Sequence, residues 1–317
     1  MRRRALLIIC ILVLLVSPEG TARANSKANI LILNSYNLNY VWAAELQEGI
    51  INGLEEHEVL IYQEFMDAKN ISDQQHAENL YNLYQYKYKD IDLDLIIATD
   101  NYAFDFLLKH RNSLFAKIPV VFTGVNDLNR EVLTNRDNYY GITDDINIEQ
   151  TLDLALDLHP QSTELVAFFS DSITGDKFRN IFAEASLNYE GPTTIYTVKN
   201  IAEVKQKLTA VSENSIIFSG LVLNDQQGNL LSVKEAMTKI SSSTTEPIYS
   251  FCYFYLGSGI VGGHLLCANT KGKATADLAW RVLEGKVKDK TIVKERFSRD
   301  MFDYQELKRL GIKQEQL

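Results

Sequence analysis

Short apolar runs alternate with longer stretches of helical period along most of this chain, and this alternation limits the folds that it can adopt. Residues 29–33, 59–65 and 95–98 form apolar runs with the length of buried strands. The segments between them place apolar side chains every three or four positions, which is typical of amphipathic helices. Because such an alternation builds a parallel sheet with helices on both faces, the expected fold class is α/β.

The alternation begins again after Gly141, so the sequence predicts two α/β units of similar size. The first unit has a fourth expected strand at residues 118–122. The strands expected in the second unit lie at residues 165–169, 194–198, 215–219 and 248–251. We therefore expect two Rossmann-like lobes with parallel sheets joined by a hinge, and a cleft where the strand ends of the two sheets face one another. The expected N-terminal lobe consists of residues 29–143 and 257–287, and the expected C-terminal lobe consists of residues 144–256 and 288–317.

The first 24 residues have the pattern of a cleaved export signal. Residues 2–4 are three arginines, residues 5–16 are an apolar run of twelve, and residues 22–24 read Ala-Arg-Ala, a small-x-small cleavage site. The apolar run is too short to span a membrane, so we expect the signal to be removed. The protein is then expected to work in the periplasm or outside the cell.

The net charge limits the partners that the protein can bind, and the cysteines raise the question of a disulfide. The net charge of −9 falls to about −12 when residues 1–24 are removed, because four Arg and one Glu are lost with them. A surface of this charge repels nucleic acid and anionic lipid, so neither is an expected partner. Cys252 and Cys267 remain in the mature chain, and the sequence leaves open whether they form a disulfide.

Two strand-end loops of the first unit carry polar residues that suit ligand contact. Ser35 and Tyr36 follow the first strand, and Asp100 and Asn101 follow the third. The carboxyl ends of parallel strands form the ligand edge of a sheet, where a carboxylate can accept from an ammonium or hydroxyl group and an amide can both donate and accept. Helix capping is the alternative explanation, since Asp and Asn are good N-caps.

The loop after the fourth strand is a third candidate, with Thr123, Gly124 and Asn126. Gly124 allows close backbone approach to a ligand, and Asn126 has an amide that can orient it. The second unit has candidates at equivalent strand ends, which are Ser170, Ser172, Thr174, Gly220 and Tyr253. The hydroxyls and backbone N–H groups of the 170–175 loop favour an anion or a carboxylate, although a plain turn explains the same composition.

No residue pattern favours catalysis or a metal site. The five His residues, at positions 57, 76, 110, 159 and 264, lack metal-ligand spacing, and no Gly-x-Ser-x-Gly motif is present. Asp144 and Asp145 are adjacent carboxylates, but they fall at the expected crossing between the lobes. We expect no enzyme activity, no metal and no cofactor. An exported α/β hydrolase or isomerase is one alternative, and a purely structural or interaction module is another.

A set of segments, in this order and spacing, resembles the ABC-transporter substrate-binding-protein-like family. The segments are NILILNS at 29–35 followed by Trp42, EFMDAK at 64–69, LIIATDN at 95–101, PVVFTGVN at 119–126, GIVGG at 259–263 and FDYQEL at 302–307. The resemblance covers residues 29–312. It implies a type I periplasmic binding protein fold, with a hinge of crossing segments and a small organic ligand between the lobes, such as an amino acid or a small carboxylate.

Within this family, the similarity is greatest to the extracytoplasmic sensor regions of bacterial histidine kinases and diguanylate cyclases. Those relatives continue into a membrane helix and a cytoplasmic signalling domain, whereas this sequence ends at Leu317. We expect a solute-binding protein that captures its ligand for an ABC-type uptake system, with a membrane permease as partner. The alternative is the ligand-sensing module of a transmembrane signalling system, with a membrane sensor protein as partner.

Overall fold

A computed structural model of the protein describes residues 27–126, 128–143, 147–220, 224–227, 229, 231–294 and 296–317. The predicted export signal and the Asp144–Asp145 pair lie outside these residues. Within the described ranges, none of the helices combines the length and the apolar character that a membrane crossing requires.

The first part of the chain alternates strands with helices, in agreement with its apolar runs. Its elements are β1 Ala28–Asn34, α1 Val41–Leu54, β2 Val59–Phe65, α2 Gln74–Tyr88, β3 Leu95–Thr99, α3 Asp100–Leu114, β4 Val120–Thr123 and β5 Tyr139–Thr143.

The second part repeats the alternation and then ends in a more irregular order. Its elements are α4 Ile148–Leu158, β6 Glu164–Ser170, α5 Ile173–Ala185, β7 Thr193–Val198, α6 Ile201–Leu208, β8 Ser215–Gly220, α7 Val233–Ser241, β9 Ile248–Tyr249, β10 Gly262–Leu266, α8 Ala268–Leu283, β11 Ile292–Lys294, β12 Ser298–Phe302 and α9 Tyr304–Leu310.

The described strands form two six-stranded sheets, in the orders β11-β5-β4-β3-β1-β2 and β12-β10-β9-β8-β6-β7. Neighbouring strands run parallel, except that β10 and β12 are antiparallel. The predicted α/β class with two mostly parallel sheets is confirmed. We call the sheet that contains β1, with its helices, the first lobe, and the sheet that contains β6, with its helices, the second lobe.

Each sheet is buried on both faces. In β1, Leu31 and Leu33 pack into one apolar cluster and Ile30 and Ile32 into another, and all four side chains are fully buried. Strand β6 divides its side chains between two further clusters in the same way. Burial on both faces explains why these strands are continuous apolar runs rather than alternating ones.

Helix α8 returns to the first lobe and packs closely against α1. A Cβ at Gly272 would lie 2.2 Å from the carbonyl oxygen of Leu46, and a Cβ at Gly49 would lie 2.1 Å from the carbonyl oxygen of Asn269. Glycine at both positions therefore allows the two helix backbones to approach within the width of a side chain.

The chain crosses between the lobes at positions that differ in part from the predicted ones. The first crossing lies between Thr143 and Ile148, near the predicted boundary. The second lies at Cys267, between β10 and α8, rather than at residue 257, and the third lies between Lys294 and Ser298 rather than at residue 288. Strand β10 begins with two glycines in extended, positive-φ backbone, so the sequence contains no apolar run that would assign it to the second sheet.

Candidate ligand-binding site

A cleft of about 620 Å³ lies between the two lobes, where the carboxyl ends of both sheets meet. Eight of the twelve sequence-predicted binding residues line it, which are Tyr36, Asp100, Gly124 and Asn126 from the first lobe and Ser170, Ser172, Thr174 and Gly220 from the second. The strand-end loops of both sheets therefore surround one space, as expected for two parallel sheets that face each other.

Ser35 and Thr123 lie behind the cleft wall and are fully buried. The Ser35 hydroxyl donates to the carbonyl oxygen of Thr99 over 2.6 Å and accepts from the backbone N–H of Ala103 over 2.8 Å. It thereby ties the end of β1 to the start of α3. The Thr123 hydroxyl has no hydrogen-bond partner among the described residues. Ser35 therefore supports the loop between β1 and α1, which faces the cleft, from behind.

Asn101 and Tyr253 also lie outside the cleft lining. The Asn101 side chain donates to the carbonyl oxygen of Asn126 and accepts from its backbone N–H, each over 3.0 Å, so it holds the loop that presents Asn126. Tyr253 is 43% exposed and begins a short 3₁₀ turn, whereas the next two residues, Phe254 and Tyr255, line the cleft. The prediction placed Tyr253 at the cleft, whereas the structure places the two aromatic residues that follow it there.

Asp100 is the buried acid of the cleft, with 5% exposure. The indole N–H of Trp42 donates to Oδ1 of Asp100 over 3.1 Å, whereas Oδ2 has no hydrogen-bond partner among the described residues. Burial raises the pKa of Asp100 to about 7, although the Trp42 hydrogen bond and the charges of Lys271 and Lys69 act in the opposite direction.

The backbone around Asp100 is unusual. Asp100 has φ of 64°, and Gly124, which lies against it, has φ of 72°. A Cβ at Gly124 would lie 2.7 Å from Oδ1 of Asp100. A positive φ at a non-glycine residue costs energy and is often maintained at functional sites, so the structure around this carboxylate holds it in one position.

Lys271 brings a cation to the same part of the cleft from helix α8. It is 2% exposed, and its Nζ lies 5.8 Å from the centre of the Trp42 ring and 6.0 Å from that of Phe297. An ammonium group over aromatic faces is stabilised by their negative π surfaces. The chain thus places a buried cation and a buried carboxylate beside one indole ring.

Lys69 lies at the mouth of the cleft between two tyrosine rings. Its Nζ is 4.7 Å from the centre of the Tyr36 ring and 4.8 Å from that of Tyr40, and the two rings are perpendicular, with an interplanar angle of 89°. Partial desolvation lowers the pKa of Lys69, while the charge of Asp100 opposes this shift. The same Nζ approaches the Thr174 hydroxyl of the second lobe at 3.4 Å, a long contact that joins the two walls.

The second-lobe wall is built around the start of α5. The Ser172 hydroxyl caps this helix by accepting from the backbone N–H of Gly175 over 3.1 Å. A Cβ at Gly175 would lie 1.9 Å from the carbonyl oxygen of Ser170, so glycine is required for α5 to begin so close to β6. Backbone N–H groups at a helix start favour anions, and this start faces the cleft.

Several cleft residues were not among the sequence-based candidates: Tyr40, Trp42, Lys69, Lys177, Phe178, Lys271 and Phe254. A signal for Lys69 was present, because it follows the end of β2 at the same sheet edge as Asp100. A signal for Lys271 was also present, because it interrupts the small, apolar face of α8, where a buried lysine requires a partner. The structure shows no disulfide between Cys252 and Cys267, both of which are buried in the described part of the chain.

Two mostly parallel α/β lobes, joined by three crossings around a cleft at their facing strand ends, define a protein of the type I periplasmic binding protein fold. The chain belongs to the ABC transporter substrate binding protein family, whose model matches residues 43–316. The family resemblance predicted from the sequence is therefore confirmed. Proteins of this family bind small ligands, work with membrane transporters and are typically periplasmic or extracellular.

Solved structures share this fold. An ABC domain from Streptococcus pneumonia in complex with L-Trp has a TM-score of 0.62 and 18% identity over 92% of this chain and 97% of that one. A ligand-free, open substrate-binding protein with adhesive properties from Clostridium difficile has a TM-score of 0.63 and 15% identity over 90% and 96%. An ABC sugar transporter subunit from Rhodobacter sphaeroides has a TM-score of 0.59 and 12% identity over 87% and 98%. A comparison with curated proteins finds no match.

Proposed function

We propose that this protein captures a small organic acid in the cleft, outside the cytoplasm, and presents it to an ABC-type membrane transporter. The observation that carries the proposal is the composition of the cleft wall, where cationic and aromatic side chains from both lobes surround about 620 Å³. A cavity of this size suits a molecule as large as an amino acid or a small aromatic acid.

The charge balance of the wall supports an anionic group on the ligand. Among the described residues, four lysines line the cleft against two aspartates, although the whole chain has a net charge of −9. The lysines are Lys69, Lys177, Lys199 and Lys271. A positive cleft in a negative protein attracts anions to that place, and the start of α5 adds backbone donors for a carboxylate.

The aromatic residues of the wall support a planar or apolar body for the ligand. Tyr36, Tyr40 and Trp42 face the cleft from the first lobe, and Phe178 and Phe254 face it from the second. Aromatic side chains stack well on planar groups. The L-Trp complex of the Streptococcus structure is consistent with this chemistry in a protein of the same fold.

Ligand capture would bring the lobes together by rotation about the three crossings. Each wall supplies part of the contact surface, so a bound ligand stabilises the arrangement in which both walls touch it. The membrane transporter would then recognise the closed form. The contact between Lys69 and Thr174 already joins the walls and would lie beside the ligand.

Thermal shift and calorimetry test this function directly. The chain from Asn25 onward is screened against amino acids, aromatic carboxylates, dicarboxylates and the corresponding neutral amides, and hits are titrated. We expect one class of carboxylate to raise the melting temperature and its amide not to do so. Lys177→Glu should weaken binding at least tenfold, because it reverses a charge in the wall.

Lys313→Glu, which makes the same change on the exposed C-terminal segment, is the matched control and should bind as the wild type does. If no carboxylate stabilises the protein, or if both variants lose affinity equally, the proposed function is wrong.

A further inference from the structure

A second pocket, of about 260 Å³, lies at the opposite end of the first sheet from the cleft. The second half of α3 and the turns that lead into β4 and β5 line it. Lys117 comes shortly before β4 and Asn138 directly before β5, so the pocket is at the amino ends of these strands. The cleft lies at their carboxyl ends, and the two sites are therefore separate.

The lining of this second pocket is rich in positive charge. Among the described residues it contains three cationic side chains, those of Arg111, Lys117 and Arg136, and one carboxylate, that of Asp137. The carboxylate is already paired, because Oδ1 of Asp137 lies 3.3 Å from Nζ of Lys290. Three cations around one small space, in a chain with a net charge of −9, attract anions to that place.

Arg111 is the fixed donor of the pocket, with 6% exposure. Its Nε donates to the carbonyl oxygen of Ile118 over 2.7 Å, and its Nη1 donates to that of Asp137 over 3.1 Å. The guanidinium carbon lies 5.0 Å from the centre of the Tyr139 ring. A guanidinium group has five N–H donors in a rigid plane, so these contacts set its orientation and leave further N–H groups for an acceptor on a ligand.

The two turns of the pocket have an uncommon backbone conformation. Lys117 has φ of 68° and Asn138 has φ of 61°. The Asn138 side chain donates to the carbonyl oxygen of Lys117 at a long 3.4 Å, and its backbone N–H donates to Oδ1 of Asp289 over 2.6 Å. Left-handed backbone costs energy at a lysine, and such positions are often maintained at functional sites. The structure thus fixes the backbone that carries Lys117 at the pocket.

We propose that this pocket binds a tetrahedral oxyanion, phosphate or sulfate, either as the free ion or as the phosphoryl group of a small ester. Arg111 donates to it from a fixed position, and Lys117 and Arg136 add their charges. Three cations match the multiple charge of such an ion better than the single charge of a carboxylate. The site takes no part in ligand capture, so it stands or falls independently of the proposed function.

Isothermal titration of the chain from Asn25 onward with sodium phosphate, sodium sulfate and glycerol 3-phosphate tests the inference, with sodium chloride keeping the ionic strength constant. We expect saturable binding with a dissociation constant of about 1 mM or less. Lys117→Met removes the charge of an exposed side chain and should weaken binding by about fivefold or more. Lys234→Met makes the same change at an exposed position of α7 and should bind as the wild type does.

Arg111→Gln should weaken binding by about tenfold or more, because it removes the guanidinium group. Since Arg111 also holds two backbone carbonyls, Lys117→Met is the decisive variant, and circular dichroism of each variant confirms that a lost affinity is not a lost fold. Glycerol 3-phosphate that binds at least about tenfold more tightly than phosphate would support an ester as the ligand. Phosphate or sulfate that binds as tightly as the ester, or more tightly, would support a free ion.

A cleft lysine distinguishes the two sites. Lys177→Met removes a charge from the cleft wall and should leave phosphate binding at the second pocket unchanged. If Lys177→Met weakens phosphate binding while Lys117→Met does not, the anion binds in the cleft and the inference is wrong. It is also wrong if none of the three probes shows saturable binding to the wild type. A failure of every carboxylate to bind in the cleft would overturn the proposed function and leave this site intact.

Discussion

The indole N–H of Trp42 donates to the buried carboxylate of Asp100 over 3.1 Å, and this bond joins helix α1 to the first residue of α3. It satisfies Oδ1, whereas Oδ2 is buried without a hydrogen-bond partner among the described residues. The position of the most strongly perturbed acid of the cleft therefore depends on a residue 58 positions earlier in the chain.

The first prediction concerns this donor. Trp42→Phe retains an aromatic ring but removes the N–H, so Asp100 loses its bond and its pKa rises further above the usual range. We expect a loss of about 2 kcal/mol in the free energy of unfolding at pH 8, where the carboxylate is ionised, and a smaller loss at pH 5. Urea unfolding at the two pH values measures this. Trp280→Phe, which changes the indole that stacks on His57, is the control and should not show a larger loss at pH 8.

The second prediction concerns the pH dependence of stability. The pKa of Asp100 is raised from 3.8 to about 7 in the folded protein, so between these values the native state binds a proton that the unfolded chain has lost. The contribution of Asp100 is therefore fully present below about pH 4 and is lost as the pH rises through 7. Asp100→Asn imitates the protonated acid and keeps that contribution.

We accordingly expect the variant to gain on the wild type as the pH rises, by as much as about 4 kcal/mol between pH 4 and pH 8. Denaturant unfolding at four or five pH values gives the difference directly. A difference that stays constant over this range would contradict the raised pKa.

The third prediction separates two effects of adding a methyl group to a glycine with positive φ. At Gly124 the new Cβ would meet Oδ1 of Asp100 at 2.7 Å, whereas at Gly285, with a similar φ of 68°, nothing lies within 4 Å of it. Both Gly→Ala variants bear the cost of the backbone conformation, of about 1 kcal/mol. We expect Gly124→Ala to lose about 1–2 kcal/mol more than Gly285→Ala, because it also displaces Asp100. Equal losses would show that Asp100 moves aside at no cost.

The fourth prediction concerns the contact between α1 and α8. In an exposed helix, Gly→Ala stabilises by about 1 kcal/mol. At Gly272 the new Cβ would lie 2.2 Å from the carbonyl oxygen of Leu46, so the two helices must separate. We therefore expect Gly272→Ala to destabilise the protein by about 2 kcal/mol or more in thermal or urea unfolding. Lys273→Ala, on the exposed face of the same helix, should remain within about 0.5 kcal/mol of the wild type.

The sequence predicts the strands that are buried on both faces well, because burial requires an unbroken apolar run. Strands β1, β3 and β6 are found within one residue of their expected bounds. Strand β10 was missed because Gly262 and Gly263 open it. Strand β12 was missed because it is an edge strand whose central residues, Arg299 and Asp300, are charged. The boundaries between lobes depend on these two strands, which explains why the predicted crossings differ from the observed ones.

The residues of the candidate site also fall into two groups, those that the sequence predicts and those that it does not. Ligand sites of parallel sheets lie at the carboxyl ends of the strands. This rule places Asp100, Gly124 and the 170–175 loop at the cleft, because it requires only the order of strands along the chain. It does not place Trp42 or Lys271, because those side chains reach the cleft only through the packing of α1 on α8. Local sequence cannot specify a contact between two helices that are separated along the chain by most of the second lobe.

Strand β11 has a consequence for the order in which the molecule folds. It pairs with β5 at the edge of the first sheet, yet it follows every strand of the second sheet except β12. During synthesis, the first lobe cannot obtain its last strand until residue 294 has emerged from the ribosome, and by then most of the second lobe is already available to fold. Neither half can be completed as an independent unit before the other, so cooperative folding of the pair follows from the path of the chain itself.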